Sequence, residues 1–206
     1  MTQNSKLCLV ACSVLKPEIK KLIENGEMDA DMVFVSKYFH DDCSKLEKNL
    51  RQVLEYTIQR YDGNVVLVYG DLCLGMKGQM KRLVNDYGVV KIDALNCVDC
   101  QLGGKGKSLE ADPNQEVIFL FSGMIDVFRY LKRQMKKEGI PLEAMSQVFN
   151  DVNGIVALDT LGNCSQLVEE INKQDTGLEI LQTKSVGCEN VKKVIQEAIE
   201  KKRNIN

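Results

Sequence analysis

Short apolar runs alternate with amphipathic stretches along the whole chain, and this rhythm predicts alternating strands and helices. Lys6–Ala11 is an apolar run, followed by a helix that Pro17 can open in its first turn. Met32–Val35 reads as the second strand. Leu46, Leu50, Val53, Leu54 and Ile58 then recur at helical spacing. Asp62-Gly63-Asn64 is a turn signal, and it leads into Val65–Tyr69, a continuous and mostly β-branched run of the kind found in buried parallel strands. Met80–Tyr87 continues as helix and Val89–Ile92 as strand.

The second half repeats the pattern. Strands are predicted at Glu116–Phe121, Gly154–Leu158 and Leu178–Gln182. Helices are predicted at Met124–Lys137 (stopped by Gly139 and Pro141), Ser165–Lys173 and Glu189–Lys201. The order implies an α/β fold, a mostly parallel sheet with flanking helices. Val33-Phe34-Val35-Ser36 passes through Cys43 into a long helix, and Ile180-Leu181-Gln182-Thr183 passes through Cys188 into another. Two readings stay open: two similar Rossmann-like halves, or the ordinary likeness of any two strand–helix units. The expected organisation is an N-terminal half over residues 1–101, a connecting loop over 102–114, and a C-terminal half over 115–206.

Composition narrows the function classes. The 206 residues carry a formal net charge of −2, without the basic face that nucleic-acid binding needs. Met1–Lys6 is polar, the apolar stretch Leu7–Val14 is short and ends at Lys16-Pro17, and no apolar run approaches the roughly 20 residues of a membrane span. The expected location is therefore cytoplasmic, with no membrane and no nucleic acid as partner. There the eight cysteines are expected to be reduced, which points to metal ligation or thiol chemistry rather than to a disulfide framework.

Ligands of parallel α/β sheets bind outside the carboxyl ends of the strands. Cys12 follows the first strand, His40 and Cys43 the second, Cys73 the third, and Cys97 and Cys100 the fourth. If those strands are neighbours, the thiols and the only histidine converge. Cys97-Val98-Asp99-Cys100 is the sharpest signal. Two thiolates three residues apart in a tight turn can hold one metal, and Gly103-Gly104 would let backbone amides point at the sulfurs. The expected metal ligands are Cys12, His40, Cys73, Cys97 and Cys100, with His40 also a candidate for acid–base catalysis. An iron–sulfur cluster comes first and zinc second. A C-x-x-C redox couple normally opens a helix, and Gln101-Leu102-Gly103-Gly104 does not start one well. Two further readings are a non-catalytic metal-delivery or binding module, and a thiol enzyme with Cys100 or Cys73 as nucleophile and His40 as base. Cys8, Cys164 and Cys188 read as bland.

Several motifs are excluded. Gly106-Lys107-Ser108 resembles the end of a phosphate-binding loop, but Gln101 stands where its first glycine belongs. Ala11–Glu18 lacks the glycines of a dinucleotide fingerprint. Leu15 replaces the third cysteine of a radical S-adenosylmethionine triad, and Tyr38 replaces the aspartate of a corrinoid carrier signature.

Five groups of residues resemble a known family. They are Leu9-Val10-Ala11-Cys12 with Leu15-Lys16-Pro17-Glu18-Ile19; Phe39-His40; Tyr69-Gly70-Asp71-Leu72-Cys73-Leu74-Gly75; Asp99-Cys100; and the later Leu158-Asp159-Thr160-Leu161-Gly162 with Thr176-Gly177. Together they resemble the family catalogued as domain of unknown function 1638. The resemblance implies a cytoplasmic protein of methanogens and other anaerobes, set beside corrinoid-dependent methyltransferase systems. A corrinoid protein or methyltransferase is then the implied partner, and any corrinoid would be held by that partner. The family pattern includes Cys12, His40, Cys73 and Cys100. Its usual Ala-His-Asp-Cys is altered here: Val98 takes the histidine's place and Cys97 stands beside it. Exchange of an imidazole for a thiolate would favour a softer metal. An extra residue in Tyr69-Gly70-Asp71-Leu72-Cys73 also departs from the pattern.

Overall fold

Strands and helices alternate as the pattern predicts, in a computed structural model that describes residues 6–141 and 151–205. The polar start at Met1–Ser5 lies outside the described residues. The chain divides into two compact units, Met1–Gly106 with Cys188–Asn206, and Lys107–Gly187.

The first unit holds a four-stranded parallel sheet in the order β2-β1-β3-β4, formed by β1 (Cys8–Cys12), β2 (Asp31–Val35), β3 (Val65–Val68) and β4 (Val90–Lys91). All of β1 and β3 is buried, which is why those runs are apolar at every position. α1 (Lys16–Glu24) carries Pro17 in its first turn, where a missing N–H leaves no helical bond unmade. α2 (Cys43–Arg60) is capped by the Asp42 carboxylate, which accepts the N–H of Ser44 at 2.9 Å and of Lys45 at 3.1 Å. Its buried face is Leu46, Leu50, Leu54 and Thr57. Each such leucine contributes about 1.5–3 kcal/mol by leaving water. α3 (Gln79–Tyr87) lies between β3 and β4, and α4 (Cys97–Leu102) follows β4.

The second unit begins with α5 (Lys107–Ala111). Its three parallel strands are β5 (Val117–Leu120), β6 (Gly154–Asp159) and β7 (Ile180–Ser185), in that order across the sheet. α6 (Ser122–Lys137) and α7 (Cys164–Asn172) connect them, and Leu120, Ile125, Phe128, Ile155, Leu167 and Ile171 form the core. The Asp159 carboxylate accepts the N–H groups of Leu161, Gly162 and Asn163 at 3.2, 2.8 and 3.0 Å, fixing the turn into α7.

The last helix, α8 (Glu189–Arg203), corrects the expected organisation. Its position along the chain places it with the C-terminal half, yet it belongs to the first unit. Val191, Val194 and Ile195 are its buried side chains, and Asn190 donates to the Gln101 carbonyl of α4 at 2.9 Å. Cys188, read from sequence as a loop cysteine of the second half, is buried and precedes α8 in the first unit. No helix among the described residues is long and apolar enough to cross a membrane.

Candidate functional site at the carboxyl edge of the first sheet

The order β2-β1-β3-β4 has a reversal between β1 and β3. The connection from β1 runs to one side of the sheet and that from β3 to the other, which opens a crevice at their carboxyl ends. Cys12 is the last residue of β1. It is buried, and its Sγ accepts the Val14 N–H at 3.5 Å, capping the short 3₁₀ turn Ser13–Leu15. A second 3₁₀ turn, Lys37–Asp41, follows β2 and is tied back by the Lys37 N–H donating to Ser13 Oγ at 2.8 Å. It carries His40, which is exposed and sets Nε2 3.4 Å from Cys12 Sγ. The pairing differs from the one read from sequence, which gave His40 to Cys73 or Cys100. The turn holding His40 is anchored at Ser13, beside Cys12, and so presents the ring to that thiol.

Tyr69 directly follows β3. Its ring lies nearly parallel to that of His40, at 8° with centroids 6.2 Å apart. The next residues turn sharply. Asp71 and Leu72 donate to the Ala94 and Leu95 carbonyls, both at 2.9 Å, and the Cys73 N–H donates to the Gly70 carbonyl at 3.3 Å. The loop with Cys73 is thereby laced to the segment that leads into Cys97.

Cys97 and Cys100 are not in a tight turn. Cys97 is the first residue of α4, and Asn96 caps the helix by accepting the Asp99 N–H at 3.0 Å. The amides near Gly103-Gly104 also serve a different purpose from the one expected. Gly104 N–H bonds the Asp99 carbonyl at 2.8 Å, and the Asp99 carboxylate takes the N–H groups of Leu95 at 2.9 Å and Gly106 at 2.8 Å. Their partner is Asp99 because the helix ends at Gly103, whose φ of +102° closes the last turn toward the helix carbonyls.

Cys73 and Cys97 are each within electrostatic reach of Cys12 and Cys100, and of one another. Burial pushes the Cys12 thiol up to about 11, against the opposing pull of the Val14 amide, Tyr69 and Lys37. Burial, then the Cys12 sulfur, pushes Cys73 up to about 12. Cys97 is half-buried; burial and the Cys73, Cys12 and Cys100 sulfurs hold it well above the ordinary thiol range. Cys100 is raised by burial, Cys73 and Asp99. The four thiols are therefore protonated at neutral pH. Lys91 is the nearby cation that favours the thiolates of Cys73 and Cys100. It pairs with Asp71 at 2.8 Å, as does Lys105. Burial acts to raise the Asp71 carboxyl, but these two lysines bring it below its usual range.

The donors suit a soft metal, since four are thiols and the adjacent carboxylate of Asp71 is taken by lysines. Their present arrangement is not a coordination shell: among the described residues no three or more His, Cys, Asp or Glu side chains are grouped to hold a metal ion. The neutral thiols point elsewhere. Cys100 Sγ donates to the Asn96 carbonyl one turn back at 3.4 Å, while Cys12 faces His40. Deprotonation would remove the first of these bonds and free the side chain to change rotamer.

The remaining cysteines lie apart from this arrangement. Cys8 is buried within β1, and its thiol is raised to about 11 by burial, then by Asp31. Cys43 opens α2 and is exposed, as is Cys164 in the second unit. Sequence reasoning missed Tyr69 and Lys91 as parts of the site. The apolar pattern places Tyr69 at the end of a strand, where it opens the motif Tyr69-Gly70-Asp71-Leu72-Cys73. The Tyr69 hydroxyl is fully buried beside Cys12 and Cys73 and interacts with the Cys12 thiol.

The profile of a family described as "Protein of unknown function (DUF1638)" matches residues 34–195. That span includes His40, Tyr69, Cys73, Cys97 and Cys100. No curated protein and no solved structure matches the chain.

Proposed function

This chain belongs to the DUF1638 family, and we propose for it, from its own site, the binding of a thiophilic metal centre by Cys12, Cys73, Cys97 and Cys100. An iron–sulfur cluster is the first choice and zinc the second. The observation that carries the reading is the grouping of four thiols at a sheet's switch point, Cys12 and Cys100 buried and Cys73 and Cys97 half-buried, with Lys91 as the neighbouring cation. A metal would supply the positive charge that four neighbouring thiolates need, and a cluster would add one-electron chemistry. His40 stands on the solvent side of Cys12 and would accept its proton as metal enters. The setting in anaerobic one-carbon metabolism, beside a corrinoid protein or methyltransferase, joins the proposal from the family resemblance.

The test is purification without oxygen, followed by the visible spectrum and assays of iron, acid-labile sulfide, zinc and cobalt. Iron with sulfide supports the cluster, and stoichiometric zinc supports the alternative. Metal that exchanges within minutes would favour a delivery module over a resident centre. Protein that takes up none of these metals, even after anaerobic reconstitution, defeats the reading.

A second reading has an observation of its own. Cys12 and His40 are at thiol–imidazole contact distance, so Cys12 is the candidate nucleophile of a thiol enzyme, with His40 as base. Its thiol, raised to about 11, makes it a poor nucleophile in the resting protein. Alkylation by iodoacetamide at neutral pH tests the point: selective modification of Cys12 would favour this reading over the metal centre.

A further inference from the structure

The second unit holds a cavity of its own. The strand order β5-β6-β7 follows the chain, so the right-handed crossovers through α6 and α7 lie on one face of the sheet and the two helices run parallel. Ser122, Ile125 and Arg129 recur at helical spacing along one stripe of α6, and Asn163, Leu167 and Glu170 along the matching stripe of α7. All six line a groove of about 460 Å³, a size usual for small-molecule sites. Leu161 lines it too. It belongs to Leu158-Asp159-Thr160-Leu161-Gly162, which carries part of the family resemblance, and the Asp159 carboxylate that accepts its N–H holds it in the wall.

The lining is divided by chemistry. Ile125, Leu161 and Leu167 are apolar, and Ser122, Asn163 and Gln166 are polar without charge. The charged members are Arg129 and Glu170, which form an ion pair from one helix to the other. Arg129 also pairs with Asp126 at 3.0 Å, and Glu170 with Lys173 at 3.3 Å. Two cations and two carboxylates balance, so the groove favours neither a plain anion nor a plain cation. Arg129 is exposed and Glu170 half-buried, and a pair so placed costs little to open. Its complement is a molecule that carries both charges side by side: a carboxylate for the planar fork of Arg129 and an ammonium for Glu170. We propose that this groove binds a small α-amino acid with an uncharged, apolar side chain, which rests against Ile125, Leu161 and Leu167. The site belongs to the second unit and does not depend on the metal reading.

L-leucine is the probe, measured by equilibrium dialysis of the labelled amino acid against the full chain. Two competitors each lack one charge: isoamylamine has no carboxylate and isocaproate no ammonium. Each is expected to bind at least about tenfold more weakly than leucine, the loss of a charge-assisted contact. Arg129→Gln and Glu170→Gln should weaken leucine binding by a similar factor. Gln166→Trp places a large ring at an exposed position on the groove and should block binding while the protein melts as the parent does. A parent chain that binds no leucine would overturn the proposal. A competitor that matches leucine would overturn recognition of the paired charges. Should either charge variant fail to fold, Gln166→Trp decides: leucine bound by it as by the parent would overturn the site.

Discussion

Gly70 and Leu95 meet so closely that a β-carbon on Gly70 would lie 2.3 Å from the Leu95 carbonyl oxygen. No other residue permits this contact without moving backbone. It is flanked by the hydrogen bonds from Asp71 to Ala94 and from Leu72 to Leu95, so one glycine keeps the Cys73 loop seated against the approach to α4. Gly70→Ala should destabilise the protein by at least about 1–3 kcal/mol, the usual range for overpacking. Metal uptake should fall in parallel. Urea unfolding with an unchanged slope, alongside cobalt titration, checks both.

Asp99 lies between the two cysteines of α4 and is fully buried. A single carboxylate oxygen accepts both the Leu95 and Gly106 amides. Asp99→Ala would leave two amides without their partner and should cost about 3 kcal/mol, from the strength of hydrogen bonds to charged groups. Asp99→Asn keeps an acceptor oxygen and should recover most of the loss. Denaturation midpoints of the two variants decide the matter; equal losses would show that the charge, not the bonds, is what matters.

These two residues also mark what the sequence could and could not tell. The strands were legible because β1 and β3 are buried on both faces and so are apolar at every position. The carboxyl-end rule then led to Cys12, Cys73, Cys97 and Cys100, because position along a strand decides which edge a following loop occupies. α4 was not legible. It has only six residues, too few for a hydrophobic period, and its start depends on the Asn96 cap rather than on any apolar stripe. The partner of His40 was hidden too, because it depends on a bond from the Lys37 amide to Ser13, a contact between segments far apart in sequence. The place of α8 was unreadable for the same reason: nothing local in Glu189–Arg203 says which sheet it covers.

Raised thiol pKa values make the metal-free protein sensitive to alkali. Burial lifts Cys12 to about 11 and Cys73 to about 12, from an ordinary value of 9.0. The folded state thus holds protons that the unfolded chain releases first. The associated stability is complete below pH 9.0 and is lost as pH rises through 9 towards 11 and 12. Melting temperatures of the reduced, metal-free protein should fall across that interval. Cys12→Ala with Cys73→Ala should flatten the fall. With metal bound the dependence reverses, since acid protonates the thiolates and releases the ion; metal content after equilibration at decreasing pH measures it.

His40→Gln separates two roles for the histidine. The ring is exposed and faces one sulfur, the geometry of a proton acceptor at the rim. The variant should therefore bind the parent's full complement of metal, but more slowly in stopped-flow mixing with cobalt. Cys73→Ser, which alters the sulfur shared by the other three, should lose the metal itself. A stoichiometry reduced equally in both variants would make His40 a ligand instead.

The return of α8 gives the molecule a particular order of assembly. The sheet that carries the thiols is complete in the chain by Lys91, but its covering helix is made only after the whole of the second unit. Units generally fold as they emerge during synthesis. Here the unit begun first is the one finished last: the inserted unit can close on itself while Val191, Val194 and Ile195 are still to be made. During that interval the apolar surface these residues will cover remains open. The first sheet thus waits, with its strands already made, for a helix that the chain supplies last.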